Sequence, residues 1–243
     1  MAPEGEWLIP AAIPRIAGNE VHVWRASLDL DSNKMFCLEE TLRQDERARA
    51  ERFNSERARS HFVAARGILR NLLGRYLESP PQSVQFYYGS NGKPSISRST
   101  AGHPLRFNLS HSHGLVLIGI AQDREVGVDV ELIRGEVAGE AIASRYFSEK
   151  EFEELRELPA GMKAEGFFRC WTRKEAYIKA RGEGLSIPLK SFSVSLKARA
   201  QEVLQSPDHT EWCLQSLDPE FGYAGALAAE GNTVQVRYLS WTP

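Results

Sequence analysis

Four side chains in two short stretches, Asp129, Glu131, Glu175 and Lys179, have the chemistry either to hold a metal ion or to pair as ions. In Gly127-Val128-Asp129-Val130-Glu131 the valines alternate with other residues, and a strand repeat of two puts Asp129 and Glu131 on one face. Between Phe167 and Leu185, Phe168, Trp171, Glu175 and Ile178 recur at spacings of three and four, so a carboxylate sits inside an apolar helical stripe. Desolvating a carboxylate is costly, and Glu175 therefore either pairs with a cation or ligates a metal. Lys179, one turn on, offers the plain pairing, an i,i+4 contact worth about 0.2–0.5 kcal/mol on an exposed helix. The solvated face of an antiparallel sheet would likewise tolerate Asp-x-Glu, so neither stretch alone specifies a metal site.

These residues need elements to hold them. The helix should stop near Arg181, where Gly182 suits a left-handed cap. Leu105, Phe107 and Leu109 alternate with Arg106, Asn108 and Ser110, a half-buried strand that His111-Ser112-His113-Gly114 turns into an apolar strand, Leu115 to Ala121. A tight link, Gln122 to Glu125, leads to the acidic strand, giving a meander. Upstream the pattern predicts a strand at Val21 to Trp24 and a polar helix from about Leu38 to Arg52. A five-turn helix through Ala58, Phe62, Ala65, Leu69 and Tyr76 follows, capped by Asn54 or Ser55. A strand at Val84 to Tyr88 precedes the turn Gly89 to Pro94, which presents Lys93. Downstream, Ser148 caps a helix over Glu149 to Leu158. Strands are expected at Phe192 to Leu196, Glu211 to Leu217, Gly222 to Ala229 and Val234 to Trp241.

Composition narrows the function. The 243 residues carry a net charge of -2, which argues against a protein that coats nucleic acid. Nine arginines against four acids between Arg43 and Arg75 make one region basic, suited to a small polyanion or to a solvated helix face. The 3 cysteines are far apart and fit a reducing compartment. Met1 to Pro14 lacks a signal-peptide pattern and no stretch approaches membrane-spanning length, so a cytoplasmic protein with no membrane partner is expected. Each half runs helices and then a small sheet, as a duplicated unit would, which divides the chain into 1–122 and 123–243.

Three motifs in order, Phe107-Asn108-Leu109-Ser110-His111-Ser112, Gly127 to Glu131, and Trp171-Thr172-Arg173-Lys174-Glu175-Ala176-Tyr177-Ile178-Lys179, resemble the signature of the surfactin-synthetase-type 4'-phosphopantetheinyl transferases. The likeness extends from about Val21 to Leu196. It implies an α+β fold of two similar lobes about a pseudo-twofold axis, with the active site in the cleft between them. It also implies magnesium-dependent transfer of the phosphopantetheine arm of coenzyme A to a serine of an acyl or peptidyl carrier protein, with release of 3',5'-ADP, by a monomer. By that resemblance Asp129, Glu131 and Glu175 are metal ligands, Glu175 is also the base, and Lys179 steadies phosphate charge. Lys93, Ser110 and His111 would contact the coenzyme's phosphates, and Arg47, Arg49, Arg57 and His61 its 3'-phosphate end. The chain departs from the family where His61 replaces a common arginine and Glu46 replaces a lysine. A metal-dependent phosphodiesterase and a catalytically dead carrier-binding module are the competing readings.

Overall fold

A chain with two long helices, each apolar along one side, needs a sheet under each, and that arrangement is found. In the computed structural model, which describes residues 5–89, 91–96, 104–135 and 139–243, the order is β1 (Glu20–Ser27), α1 (Ser32–Glu40), α2 (Gln44–Ala50), α3 (Glu56–Tyr76), β2 (Phe86–Tyr88), β3 (Pro94–Ile96), β4 (Leu105–Ser112), β5 (Leu115–Gln122) and β6 (Val126–Leu132). Then come α4 (Glu140–Tyr146), α5 (Glu149–Glu157), α6 (Ala160–Arg181), β7 (Gln201–Gln205), β8 (Glu211–Leu217), β9 (Tyr223–Glu230) and β10 (Gln235–Ser240). One four-stranded sheet has the order β10-β1-β5-β4 and another β6-β9-β8-β7, while β2 and β3 form a separate ribbon. The fold class is α+β, as expected.

The layers follow from strand alternation. Trp24 and Ala26 of β1 and Val116, Ile118 and Ile120 of β5 pack under α3, against Ile68, Leu69 and Leu72. Their neighbours Val21, Val23, Leu115 and Leu117 face the other way, onto Val126, Val128 and Val130 of β6. The near-continuous apolar run of β5 is therefore a strand buried on both faces. On the far side of the second sheet α6 lays Phe168, Ala176, Ile178 and Ala180 against Ala224, Ala226 and Ala228 of β9, whose small side chains let the helix lie close. Gly182 caps α6 at φ 70°, Ser55 caps α3 and Ser148 caps α5, each as the sequence predicts.

Three expectations need correction. The polar helix over Leu38 to Arg52 is two helices, because Thr41 Oγ1 bonds back to Leu38 O at 2.6 Å and the Glu46 carboxylate accepts Arg43 N–H at 2.9 Å to start α2. The meander does not continue: β6 pairs with β9 and not with β5, which frees its valines to form the layer between the sheets. Phe192 to Leu196 is not a strand. Its backbone is engaged by charged side chains, with Val194 N–H on Glu151 Oε1 at 2.7 Å and Ser195 O on Arg173. Instead β7 supplies the edge, an alternation too polar to stand out. The expected turn from Gly89 to Pro94 includes Ser90, which lies outside the described residues. Across the division expected near Gln122, β10 comes back to pair in parallel with β1.

Candidate active site

Gly127 decides how close the acidic strand and the helix can come. A Cβ there would stand 2.1 Å from Ala176 O and 2.4 Å from Ala180 N, so no side chain fits between β6 and α6. The contact sets the Glu175–Lys179 turn over Asp129. Lys179 Nζ donates to Asp129 Oδ1 at 2.6 Å, across to the strand, and not to Glu175 on its own helix. Asp129 is buried at 3% exposure, which removes the solvated-face reading of Asp-x-Glu.

The third support is β4. Asn108 Oδ1 accepts Val128 N–H at 2.9 Å, Ser110 Oγ donates to Asp129 Oδ1 at 2.7 Å, and Ser112 Oγ donates to Glu131 Oε2 at 2.8 Å. Alternation on β4 thus matches alternation on β6, and each polar side chain of one grips the other. Ser112 also accepts Leu132 N–H at 3.3 Å, a role the sequence reading missed although the residue stands in the quoted motif. The signal was available: a strand that repeats Asn, Ser and Ser at every second position presents one hydrogen-bonding edge.

The carboxylates are strained electrically. Burial pushes the Glu175 pKa up and the Asp129 charge adds to it, with Lys179 opposing and Glu131 reinforcing. Burial likewise raises Glu131; the Ser112 hydrogen bond works against this and the Asp129 charge works with it. One carboxylate oxygen, Asp129 Oδ2, is buried with no hydrogen-bond partner. Among the described residues no group of three or more His, Cys, Asp or Glu side chains is arranged to hold a metal ion. The expected set of three ligands, Asp129, Glu131 and Glu175, is therefore not gathered into such a group here, whereas magnesium commonly takes only one or two carboxylates with waters and substrate phosphates. An orphaned hard oxygen beside two uncompensated carboxylates suits such a cation.

The other expected residues are not all brought to one place. Asn91, Lys93, Asn108, Glu175, Lys179 and Gly182 line one cleft of about 320 Å³. Lys93 Nζ is held at 2.7 Å from both Glu125 Oε2 and Ala180 O, and burial lowers its pKa while Glu125 opposes the shift. His111, on the opposite face of β4 from Ser110, keeps an exposed side chain, and partial desolvation and then the charges of His61 and Lys179 lower its pKa. His61 and Arg57 line a second cleft of about 680 Å³ with Asp29, whose carboxylate takes His61 Nε2 at 2.8 Å. Arg47 and Arg49 line neither: Arg47 Nε donates to Leu42 O at 3.2 Å and the Arg49 guanidinium lies 5.3 Å from the Phe62 ring centre. Glu46 is buried between Arg66 and Arg70, at 2.5 and 2.6 Å, so two of the region's arginines serve the fold.

Buried charge also steadies the helix. Lys174, with 0% exposure, donates to Leu189 O at 2.6 Å and Phe192 O at 2.7 Å and pairs with Glu151 at 2.8 Å. Thus Lys174, one residue before Glu175, is a structural cation that fixes the segment after α6.

Sequence comparison finds matches to both halves of the chain. Residues 125–228 match the 4'-phosphopantetheinyl transferase superfamily, and residues 26–123 match the N-terminal 4'-phosphopantetheinyl transferase family. The chain is 40% identical over 232 residues to 4'-phosphopantetheinyl transferase HetI of Nostoc sp. (strain PCC 7120), covering 96% of this chain and 97% of that one. It is 35% identical over 183 residues to 4'-phosphopantetheinyl transferase psf-1 of Bacillus pumilus, covering 74% and 76%. Against 4'-phosphopantetheinyl transferase Sfp of Bacillus subtilis the identity is 28% over 186 residues, covering 76% and 80%.

Proposed function

From the premise that this chain belongs to the 4'-phosphopantetheinyl transferases, and is therefore an enzyme, we propose that it moves the phosphopantetheine arm of coenzyme A onto a carrier-protein serine. We place it with the surfactin-synthetase-type members. The reading rests above all on one observation, the contact of Gly127 with Ala176 and Ala180 that sets Glu175 and Lys179 against Asp129.

Glu175 takes the proton of the serine hydroxyl as its oxygen bonds to the β-phosphorus of coenzyme A. The bond from that phosphorus to the bridging oxygen breaks, and 3',5'-ADP leaves with the electron pair. A carboxylate whose pKa is raised toward the working range is a better base than an ordinary one. Lys179 and Lys93 orient the pyrophosphate with Ser110 beside them, while His111, on the other face of β4, joins Arg57, His61 and the outlying Arg47 and Arg49 in attracting the coenzyme's remaining phosphate. Asp129, Glu131 and Glu175 would hold magnesium, which supplies neutralising charge at the pyrophosphate.

The enzyme is read as a cytoplasmic monomer of two lobes that divide near Gln122, with Cys37, Cys170 and Cys213 all free thiols. No described helix is long and apolar enough to cross a membrane. The deciding experiment incubates the protein with magnesium, coenzyme A and a panel of apo-carrier domains from fatty acid, polyketide and peptide synthetases, and reads intact mass. Addition of one phosphopantetheine to at least one carrier is expected. No mass shift on any carrier, together with cleavage of DNA, would establish the phosphodiesterase reading instead.

A further inference from the structure

The hairpin between β8 and β9 holds an aromatic ring out in water. Phe221 is 101% exposed, although burying such a side chain is worth about 1.5–3 kcal/mol. The tip that carries it is firmly tied. Tyr223 N–H closes a turn onto Glu220 O at 3.1 Å, Gly222 takes φ +84°, and Ile133 N–H donates to Gly222 O at 2.8 Å. Arg25 of β1 donates to Pro219 O, and Trp7, ahead of β1, donates through Nε1 to Asp218 O at 2.9 Å. A ring fixed in solvent on a rigid tip is pre-organised to bury its area against something else.

Its position says what. Glu131 stands opposite Ala224 and Leu132 opposite Tyr223, so the tip begins where the acidic strand ends. Beside it a cleft of about 440 Å³ is lined by Ile133, Arg169, Arg199, Leu217 and Tyr223. Burial raises the Tyr223 pKa, and the charges of Glu220 and Asp29 add to the shift against Arg57, so the hairpin lies within electrostatic reach of the His61 cleft. The tip therefore adjoins the end of the strand that carries Glu131, beside the cluster to which a carrier serine has to be brought.

We propose that Phe221 and the adjoining cleft are the docking surface for the carrier domain, with the ring as the apolar anchor of the contact. This rests on the transfer reading above. A second copy of the chain seated on the same tip would obstruct the approach of the serine, which favours the substrate as occupant. Anchors of this kind concentrate binding energy in a few aromatic side chains.

The test is Phe221→Ser, compared with Phe221→Leu, on the carrier domain that the wild type modifies fastest. The expected result is a KM for carrier raised about tenfold or more, in the range of an aromatic anchor. The kcat at saturating carrier and the KM for coenzyme A should stay unchanged, and Phe221→Leu should recover most of the loss. An unchanged carrier KM in Phe221→Ser overturns the docking surface while leaving the transfer reading intact. Failure of the wild type on every carrier overturns both. Sedimentation is the companion measurement: a wild-type dimer that Phe221→Ser converts to monomer assigns the ring to self-association and overturns the proposal.

Discussion

The ammonium of Lys179 lies 2.6 Å from Asp129 Oδ1, while Asp129 Oδ2, equally buried, has no hydrogen-bond partner. Lys179 thus faces a cluster of three carboxylates, and although Arg134 also acts on Glu131, Glu131 and Glu175 are left with raised pKa values. Lys179→Met is expected to destabilise the metal-free protein by about 2–4 kcal/mol at neutral pH, since removing one partner strands the other buried charge. Magnesium should restore more stability to the variant than to the wild type. Denaturant unfolding with and without the ion measures both effects.

Glu175→Gln separates a structural carboxylate from a catalytic one. The amide keeps the shape but cannot take the serine proton, so turnover should fall by at least about 10², the lower end of general-base contributions. Stability should hold or rise slightly, because the substitution removes a charge that burial and Asp129 both disfavour. Near-wild-type kcat on a good carrier would eliminate Glu175 as the base.

Gly127→Ala should be severe for a steric reason. The added methyl meets backbone at 2.1 Å, and neither β6 nor α6 can yield without parting the cluster. A loss of about 1–3 kcal/mol or more is expected from overpacking. Loss of turnover beyond the unfolded fraction would follow from displaced Glu175 and Lys179. Activity per folded molecule, with folding followed by near-UV dichroism, is the relevant ratio.

Arg49 is exposed and stacked on Phe62, outside both clefts, yet it belongs to the basic region expected to meet the 3'-phosphate. Arg49→Ala should weaken coenzyme A more than 3'-dephospho-coenzyme A, by a ratio that shrinks at high salt. Equal losses by calorimetry would leave that phosphate to Arg57 and His61.

His22 gives the fold an acid limit. It is fully buried, with Nδ1 2.6 Å from Tyr76 Oη, and burial lowers its pKa from 6.5 to about 4, with Glu20 opposing. The unfolded chain therefore takes up a proton at a higher pH than the native one. Stability is complete above the unfolded value and is lost as pH falls toward the folded one, by about 2 kcal/mol between pH 7 and pH 5. His22→Gln should flatten that slope in urea titrations at the two pH values.

Periodicity made much of this legible. The alternation of Asp129 and Glu131, the spacing of Glu175 within α6 and the caps at Ser55, Ser148 and Gly182 are local properties, and they survived folding. Charges with structural duties were the blind spot. Lys174, Arg173, Glu151, Arg70 and Glu46 are all buried, yet nothing in a single residue type tells a buried ion from a solvated one until its partner is known. The partner of Lys174 lies 23 positions away at Glu151, beyond any helical repeat. Pairing of β6 with β9 was hidden for the same reason, since a strand's valines show that it is buried but not against which sheet.

The return of β10 to β1 also bears on how the molecule is made. Glu20 is paired with Gln235, so the first sheet cannot gain its outer strand until residues 235–240 have left the ribosome. Contacts of such sequence separation carry a large loop-closure cost and form late. Until they do, β1 presents an open edge to its surroundings, a template on which a nascent chain can pair wrongly.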